Sequence, residues 1–465
     1  MDCAANCHAK GCHLLCHDDV IGTRKVSFIV YMTDPGDAWK YEDGGCLELY
    51  EAVVENGDSA RRHVPSALPV KKILPVFNSL AYFVVQPGVS FHSVQEVFCD
   101  RPRLSLQGWY HAKESPSQIE NATLQRLKSV DKGEDTEGEF DHLTASDKTT
   151  SESNGECGDE NISLSQADRS FLGKYINPAY LSDESMNEIC KRFEEESSVK
   201  LRHFLLDEWN AKVNAACVRE DERDGFGKDR PCLNYNIGTS DRWKAVGPAH
   251  KQRFLQYERK NETATEGNAD DVESKNSDAG NYLHHLQHTV FKSAAFGRWL
   301  GFISSLGFPL GQRGRIRRFR PGLDYTVAHY GVLTTNAVLD ATLCFAAGDG
   351  KQCAFDEETN ELIGSDNDAM WESGDVGGFE CYIAADESGD DQGPDAEYDE
   401  EDDTKLLSVS ASNNTLSLVY RDPGTMRFVK YVSASAPSSR WDVAFEYDVK
   451  SDDTDDDESD DGDNP

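Results

Sequence analysis

Five polar side chains in the first quarter of the chain have the types and spacing of a mononuclear iron site with a bound dicarboxylate. His17 and Asp19 are two residues apart, so on an extended strand both side chains point to one face. With His92 they offer two imidazoles and a carboxylate, which can occupy one face of Fe(II) and leave the other open for a cosubstrate and O2. Arg103 can hold 2-oxoglutarate through its fork of donors, and the Tyr31 phenol can donate a second hydrogen bond. These residues predict a 2-oxoglutarate-dependent oxygenase site.

The positions of the two downstream residues support this prediction. His92 follows the turn residues Gln86-Pro87-Gly88, at the start of a predicted strand. Arg103 begins the next predicted strand. Arg101 is an alternative anion-binding residue, but Pro102 follows it and favours a turn or a strand edge there. We therefore expect Arg103 rather than Arg101 in the site.

The elements that must position these residues have the composition of strands. β-branched and aromatic residues, bounded by turn residues, dominate the segments 26–32, 46–50, 80–85, 91–98 and 103–111. No helical periodicity of useful length interrupts them. Residues 1–114 are therefore expected to form an all-β sandwich or barrel that carries the site.

The rest of the chain divides by composition. Residues 115–166 are rich in Ser, Thr, Asp, Glu and Gly, which predicts a disordered linker. Helices are expected from Ser182 to Trp209 and from Tyr282 to Leu306, and seven strands follow, the last from Trp441 to Tyr447. Residues 167–448 are thus predicted to form a β-sandwich backed by helices, with polar insertions at 261–280 and 386–403, before an acidic disordered tail at 449–465.

Composition also argues against several classes of protein. The net charge is −37, so direct binding to nucleic acid is not expected, because phosphates would be repelled. No apolar run reaches the eighteen or so residues of a transmembrane helix, and the N-terminus has no apolar signal-peptide core. The thirteen cysteines are therefore expected to be reduced thiols. We expect a cytoplasmic or nuclear protein without a membrane partner.

Two clusters of candidate metal ligands compete with the iron site. Cys3, Cys7, Cys12 and Cys16, interleaved with histidines, could form a zinc site, but they lack the usual paired Cys-x2-Cys spacing. The His284-His285-x-x-His288 cluster has ligand-like helical spacing without a matching carboxylate. We interpret it as part of a surface or interface helix.

The only dense basic run comprises five arginines between residues 313 and 320. One interpretation is a patch that meets ribosomal RNA or the chain's own acidic tail. The other, which we prefer, is a strand with solvated arginines. In the same half of the chain, His329 is followed by Tyr330 and Gly331, so no carboxylate stands two residues after it. The second half is therefore expected to be non-catalytic.

Several longer motifs resemble a known family. They are Leu14 to Asp19, Phe28 to Tyr31, Gly44 to Tyr50, Val89 to Val97, Arg103 to His111, Tyr175 to Leu181, Gly377 to Phe379, Leu416 to Asp422 and Phe428 to Val432. Together they resemble the 2-oxoglutarate- and Fe(II)-dependent prolyl 3-hydroxylases that modify a proline of a small-subunit ribosomal protein. The resemblance covers most of the chain outside its polar insertions.

The resemblance implies a fold and a set of ligands. The fold is mainly β, with two double-stranded β-helix (jelly-roll) domains and backing helices, and the first domain is expected to lack its N-terminal part. His17, Asp19 and His92 would bind Fe(II), Arg103 and Tyr31 would bind 2-oxoglutarate, O2 would be the second cosubstrate, and ascorbate a further cofactor.

The resemblance also implies partners. The substrate would be a prolyl residue of a small-subunit ribosomal protein, and translation factors are further expected partners. One function from another class stays open. A catalytically inert homologue could act as an interaction protein, binding translation or ribosome-associated partners through its second domain.

Overall fold

A computed structural model describes residues 1–54, 62–129, 138–143, 164–227, 234–259, 278–334, 336–346, 354–355, 362–363, 366–385 and 405–449. The predicted insertion 386–403 lies outside these residues, as do nearly all of the insertion 261–280 and of the acidic tail. Among the described residues, no helix combines the length and apolar character needed to cross a membrane.

The first unit consists of strands in two four-stranded antiparallel sheets and one hairpin. In chain order the strands are β1 (Asp2–His8), β2 (Leu14–His17), β3 (Arg24–Tyr31), β4 (Leu47–Leu49), β5 (Ala52–Val54), β6 (His63–Pro65), β7 (Lys71–Ile73), β8 (Leu80–Val84), β9 (His92–Val94) and β10 (Arg103–His111). One sheet has the order β1-β10-β3-β8, the other β2-β9-β4-β7, and β5 pairs with β6.

The strand pattern places polar side chains between these two sheets. On β10, Arg103 and Ser105 are buried, whereas Leu104 and Leu106 are exposed, because successive side chains point to opposite faces. On β3, the buried Tyr31 packs in a cluster with Leu47 of the other sheet. The predicted strand 103–111 therefore has the predicted bounds, and its polar face points inward.

The helical segments of both units and the strands of the second unit complete the described fold. The helices are α1 (Thr123–Leu127), α2 (Gln166–Leu172), α3 (Asp183–Glu196), α4 (Asp207–Asp224), α5 (Ala279–Leu286), α6 (Ala294–Ser304) and α7 (Asp366–Ser373), with a π-helical turn at Gln287–Phe291 and 3₁₀ turns at Tyr41–Asp43, Ile119–Asn121, Pro178–Leu181 and Tyr330–Val332. The strands are β11 (Asp141–His142), β12 (Ser198–Leu201), β13 (Trp243–Val246), β14 (Gln252–Tyr257), β15 (Gly311–Phe319), β16 (Tyr325–Thr326), β17 (Val338–Ala346), β18 (Ala354–Phe355), β19 (Leu362–Ile363), β20 (Glu380–Ala384), β21 (Lys405–Val409), β22 (Thr415–Arg421), β23 (Thr425–Val429) and β24 (Arg440–Asp448).

The main sheet of the second unit has nine strands, and one of its faces packs against helices. Its strand order is β12-β22-β17-β24-β15-β14-β13, with β11 beside β15 and β16 beside β14. One face packs against helices in the largest apolar cluster of the described residues, which includes Trp299, Leu343 and Phe445. The three-stranded sheet β21-β20-β23 belongs to the same unit. This part of the chain therefore contains a large antiparallel sheet with helices on one face, and its assignment as a β-sandwich domain stays a prediction.

Two local predictions were wrong. The segment predicted as one helix from Ser182 to Trp209 is α3, the strand β12 and the start of α4. Ser182 caps α3 as expected, accepting a hydrogen bond from the Ser185 N–H, but Ser197 ends that helix in the left-handed conformation (φ 53°). The β-branched Val199 lies in β12, which pairs with β22.

The start of the segment predicted to be a disordered linker is also ordered. Residues 119–127 form a 3₁₀ turn and α1. The buried Asp18 carboxylate accepts the N–H of Thr123, the first residue of α1, at 3.1 Å. A long-range hydrogen bond thus orders residues whose local composition indicates disorder.

The two units meet through a buried carboxylate. Glu96, which follows β9 and is 3% exposed, accepts hydrogen bonds from the hydroxyl of Ser433 (2.7 Å) and the backbone N–H of Ala434 (2.8 Å). The Tyr431 hydroxyl is 3.3 Å away, and its ring stacks on His13 of the first unit. Burial raises the pKa of Glu96, although these donors act in the opposite direction.

Replacing Glu96 with Gln tests this interface through its pH dependence. Because the folded pKa is raised above the usual value of 4.5, ionising Glu96 costs more in the folded state than in the unfolded state. The free energy of unfolding of the wild type, relative to that of Glu96→Gln, should therefore fall as the pH rises above about 4.5. Urea denaturation of both proteins at pH 5 and pH 8 measures the difference. A constant or rising difference contradicts the prediction.

Candidate metal centre

Two neighbouring strands and one loop residue bring the three predicted ligands together. His17 ends β2, His92 begins β9, and the two residues are directly paired across these antiparallel strands. Their rings lie 4.2 Å apart between centroids. His17 Nε2 is 3.3 Å and His92 Nε2 is 3.6 Å from the carboxylate of Asp19, one to each oxygen. The three ligand atoms lie within 4.8 Å of one another, the only such group found among the described residues.

Asp19 reaches this group by a different route from the predicted one. The strand ends at His17, and Asp19 has a φ of 60°, in the left-handed region. Aspartate tolerates this conformation better than most residues, and such backbone strain concentrates at functional sites. The turn of the backbone, rather than the alternation of a strand, brings the carboxylate to the imidazoles.

Both imidazoles are oriented by the backbone. Nδ1 of His17 lies 2.8 Å from the carbonyl oxygen of Leu15, and Nδ1 of His92 lies 2.8 Å from that of Ser90. When each Nδ1 carries the proton and donates it to its carbonyl, each Nε2 presents a lone pair to the Asp19 side. This arrangement is common around metal-binding histidines.

Trp109 is a residue of the site that sequence reasoning did not single out. Its indole N–H donates to Asp19 at 3.1 Å, and the guanidinium of Arg24 lies 3.7 Å from its ring centroid. On β10, Trp109 is six residues from Arg103 and therefore on the same face. That shared face is the sequence signal that could have identified it.

The electrostatics keep the Asp19 carboxylate ionised. Burial alone would raise its pKa, but the hydrogen bond and charge of His17, the charge of His92 and the Trp109 N–H together hold the pKa well below its usual range. Burial and the neighbouring His17 lower the pKa of His92 to about 4. Near neutral pH the site therefore presents a carboxylate and an unprotonated imidazole, which are the forms that bind a metal.

Asp18 fixes the loop that carries Asp19. Its buried carboxylate accepts the backbone N–H groups of Val20 (3.3 Å), Gly88 (3.3 Å) and Thr123 (3.1 Å). The Ser90 hydroxyl donates to its carbonyl oxygen at 2.8 Å. One side chain thus joins the ligand loop to the turn before His92 and to the start of α1.

Arg103 is a buried cation without a neutralising carboxylate. It is 1% exposed, its Nε donates to the Gly45 carbonyl at 2.6 Å, and no described carboxylate forms an ion pair with it. Its Nη2 and the hydroxyl of the buried Tyr31 have no hydrogen-bond partner among the described residues. The guanidinium lies 5.1 Å from the Tyr31 ring centroid. An uncompensated buried charge is costly, so this pair is suited to receive an anionic ligand.

Arg101 and the N-terminal cysteines, the alternatives to Arg103 and to the iron ligands, lie outside the group formed by His17, Asp19 and His92. Arg101 forms ion pairs with Asp37 and Asp43 near the surface, away from the sheet interior. Cys3 and Cys7 are exposed on β1, and no cysteine-containing ligand group is found among the described residues. The zinc interpretation is therefore not supported.

The histidine cluster at 284–288 does not form a metal site, and the arginine run at 313–320 is not a solvated patch in the described residues. His285 stacks on Trp209 with ring centroids 5.2 Å apart, and the tilted rings of His284 and His288 lie 4.2 Å apart, which fits the predicted surface or interface helix. The preferred interpretation of the arginine run was wrong. Arg317, Arg318 and Arg320 are buried and neutralised by acids, which are distant in sequence for Arg317 and Arg318 and four residues away for Arg320.

Buried hydrogen bonds connect the second unit to β9, which carries His92, and to its neighbour β4. Ser93, next to His92, donates to Glu48 of β4 at 2.9 Å, and Glu48 also accepts the hydroxyl of Tyr235 at 2.8 Å. Tyr50, whose hydroxyl lies 3.1 Å from that of Ser93, accepts a hydrogen bond from Arg253 at 3.0 Å. All five residues are buried. Side chains of the second unit thus complete the hydrogen bonding beneath β9.

Comparison with known families matches this division of the chain. A family model described as 2OG-Fe(II) oxygenase superfamily covers residues 3–111, and one described as oxoglutarate and iron-dependent oxygenase degradation C-term covers residues 167–455. The first contains all five predicted site residues. The second begins in α2 and contains every strand of the nine-stranded sheet except β11.

Individual relatives extend over both halves. The chain is 38% identical to the prolyl 3,4-dihydroxylase OGFOD1 of Ostreococcus tauri, covering 96% of this chain and 77% of the relative. It is 28% identical to the prolyl 3-hydroxylase OGFOD1 of Xenopus laevis, covering 93% of this chain and 70% of the relative. A Pseudomonas putida prolyl-4-hydroxylase structure aligns over 24% of this chain and 52% of its own, at 24% identity and a TM-score of 0.18, too low to bear on the fold.

These matches and the site geometry define a 2-oxoglutarate-dependent oxygenase, a class that uses Fe(II), 2-oxoglutarate and O2. The ligand group and the buried, unneutralised Arg103 fit those cofactors. The chain belongs to the family of prolyl hydroxylases that contains its algal and amphibian relatives.

Replacing Gly45 with Ala tests how Arg103 is positioned. Gly45 has a φ of 65°, and an added Cβ would lie 2.8 Å from the Arg103 side chain. Displacing the guanidinium should raise the dissociation constant for 2-oxoglutarate about tenfold or more, a loss of about 1.4 kcal/mol. Gly424→Ala is the matched control, since its φ is 84° but nothing lies within 4 Å of the added Cβ. Calorimetric titration of both variants measures the effect. Equal affinities in the two variants would refute it.

Proposed function

We propose that this protein is an Fe(II)- and 2-oxoglutarate-dependent hydroxylase of a prolyl residue in a small-subunit ribosomal protein. The observation that carries the proposal is the convergence of two imidazoles and one carboxylate beside the same sheet interior that holds a buried, unneutralised arginine. The relatives whose names state prolyl hydroxylation support the reaction. The ribosomal substrate rests on the resemblance of the sequence motifs.

In this proposal His17, Asp19 and His92 hold Fe(II). Their Nε2 atoms and carboxylate oxygens already face one another, so binding needs little rearrangement, and the carbonyls of Leu15 and Ser90 keep the rings oriented. The cation would supply the positive charge that the buried Asp19 carboxylate otherwise receives from His17, whose pKa that carboxylate raises against the effect of burial.

Arg103 and Tyr31 bind the distal carboxylate of 2-oxoglutarate. The arginine supplies the neutralising charge and the tyrosine a hydroxyl donor, and Nη2 of Arg103 and the Tyr31 hydroxyl have no hydrogen-bond partner among the described residues. Bound Fe(II) supplies the redox chemistry of this class, in which O2 and 2-oxoglutarate yield succinate, CO2 and a hydroxylated substrate carbon. The chain itself supplies orientation and a site shielded from water.

We also propose the finer organisation that the resemblance implies. Two double-stranded β-helix domains span residues 1–114 and 167–448, and the second is non-catalytic. The second domain supports β4 and β9 through Tyr235 and Arg253 and offers a surface for substrate or translation-factor docking. A cytoplasmic or nuclear location would give access to ribosomal proteins.

Arg103→Met separates cosubstrate binding from folding. The apolar side chain removes a buried unpaired charge, so the free energy of unfolding should not fall and should even rise. The dissociation constant for 2-oxoglutarate should rise about 30-fold, the equivalent of about 2 kcal/mol for lost charge-assisted hydrogen bonds. Fe(II) binding should persist. Arg101→Met, at the surface, is the control and should keep wild-type affinity. If both variants bind 2-oxoglutarate equally, Arg103 has no such role.

The reaction is tested with small ribosomal subunits as substrate. Incubation with the protein, Fe(II), 2-oxoglutarate and O2 should add one oxygen to a prolyl residue, mapped by mass spectrometry of the ribosomal peptides. His92→Ala should bind Fe(II) poorly and give no product, because a ligand is lost. Replacing the mapped proline by alanine in a synthetic peptide should abolish the gain in mass. Bound Fe(II) with no modified proline in any small-subunit protein would overturn the assignment.

A further inference from the structure

The indole of Trp109 contacts one particular oxygen of the Asp19 carboxylate. Trp109 lies on β10, on the same face of the strand as Arg103, and its N–H donates to Oδ2 of Asp19 at 3.1 Å. The guanidinium of Arg24 lies 3.7 Å from the centroid of the indole ring. A cation over an aromatic face is an attractive contact, so Arg24 helps to keep the ring in the orientation that points its N–H at Asp19.

The two oxygens of the Asp19 carboxylate therefore have different surroundings. Oδ1 lies 3.3 Å from Nε2 of His17. Oδ2 lies 3.6 Å from Nε2 of His92 and also accepts the indole N–H. In the part of the chain that the structure describes, Trp109 is the only residue outside the ligand group that donates a hydrogen bond to this carboxylate. Oδ1 is thus the oxygen that stays available to a metal.

Using Oδ2 as a second metal ligand would disturb this hydrogen bond. That oxygen would have to move to bonding distance from the metal, and the indole N–H would lose its acceptor or keep it at a poorer distance. Asp19 is only 6% exposed, so little water is available there to replace a lost partner. A donor left without an acceptor in such surroundings is unfavourable. The hydrogen bond from Trp109 therefore favours coordination through one oxygen.

The number of oxygens that Asp19 gives to the metal decides how many positions stay open. With one oxygen and two imidazoles, the protein occupies one face of Fe(II) and leaves the opposite face free. 2-Oxoglutarate chelates through its 2-oxo and C1 carboxylate oxygens, and one position then remains for O2. A second oxygen from Asp19 would compete for that position. A residue that restrains Oδ2 thus protects the place where O2 must bind.

We propose that Trp109 is a positioning residue, which holds Asp19 to coordination through Oδ1 alone and thereby keeps a position open for O2. This inference rests on the proposed function, because it concerns the same iron site. It adds a role for a side chain that is neither a metal ligand nor a cosubstrate ligand. Ligand carboxylates are commonly held by such outer hydrogen bonds, and their loss changes the properties of the site.

The experiment uses nitric oxide as an analogue of O2, on the full chain, without oxygen and with saturating Fe(II). Binding is followed by the electron paramagnetic resonance signal of the Fe(II) nitrosyl complex. Trp109→Phe keeps an aromatic ring and removes the N–H. With saturating 2-oxoglutarate, this variant should bind nitric oxide about tenfold or more weakly than the wild type. Without 2-oxoglutarate, more positions are free, so the two proteins should bind nitric oxide similarly.

Trp209→Phe is the matched control. Trp209 is also half-buried, donates its N–H to a carbonyl oxygen, that of Lys174, at 3.0 Å, and has the ammonium of Lys212 5.1 Å from its ring centroid, but it lies in the second unit. This variant should match the wild type in both measurements.

Three outcomes would overturn the inference. If Trp109→Phe and Trp209→Phe bind nitric oxide equally in the presence of 2-oxoglutarate, the indole N–H does not keep a position open. If Trp109→Phe loses Fe(II) binding altogether, Oδ1 and the two imidazoles do not suffice as ligands. If the wild type itself binds no Fe(II), the proposed function fails together with this inference, whereas the first two outcomes leave the proposed function intact.

Discussion

Charge enclosed between β-sheets is the constraint on which most of this structure depends. In the first unit the enclosed groups are Asp19 with its two imidazoles and Arg103 without a carboxylate. In the second unit they are ion pairs between strands, such as Arg317 with Asp442. Burying charge is unfavourable unless each group is compensated, so the surrounding loops and strands are arranged around these groups.

The two units differ in how their buried charges are neutralised. The second unit neutralises most of its buried charges internally, which leaves the strands fixed without any ligand. In the first unit only imidazoles and the Trp109 indole compensate the Asp19 carboxylate, and no described carboxylate forms an ion pair with the Arg103 guanidinium. That contrast agrees with the proposal that the first unit carries the catalytic site.

Much of the site could be predicted from sequence because its signals are local. The two-residue spacing of His17 and Asp19, the turn before His92 and the alternation on β10 identify residues that the structure brings to one sheet interior. The left-handed backbone at Asp19 could not be predicted, because hydrogen bonds to Asp18 from residues 70 and 105 positions away hold that loop.

The same reasoning explains the wrong interpretation of the arginine run. Arg318 pairs with Asp221 and Arg317 with Asp442, acids that lie 97 and 125 residues away. A window of local sequence contains the cations without their partners and therefore predicts solvated side chains. Strand bounds, by contrast, follow from nearest-neighbour alternation, which is why β10 was predicted to the residue.

The buried carboxylates of Glu48 and Glu96 make the first unit depend on hydrogen-bond donors of the second. Each lies in the first unit, is buried, and takes hydrogen bonds from Tyr235 or from Ser433 and Ala434 of the second. If the first unit were expressed alone, both carboxylates would be exposed to solvent, Glu48 on β4 and Glu96 just after β9. Joined to a different domain, the first unit would need new hydrogen-bond donors for these two carboxylates, because a buried charge without partners is unfavourable.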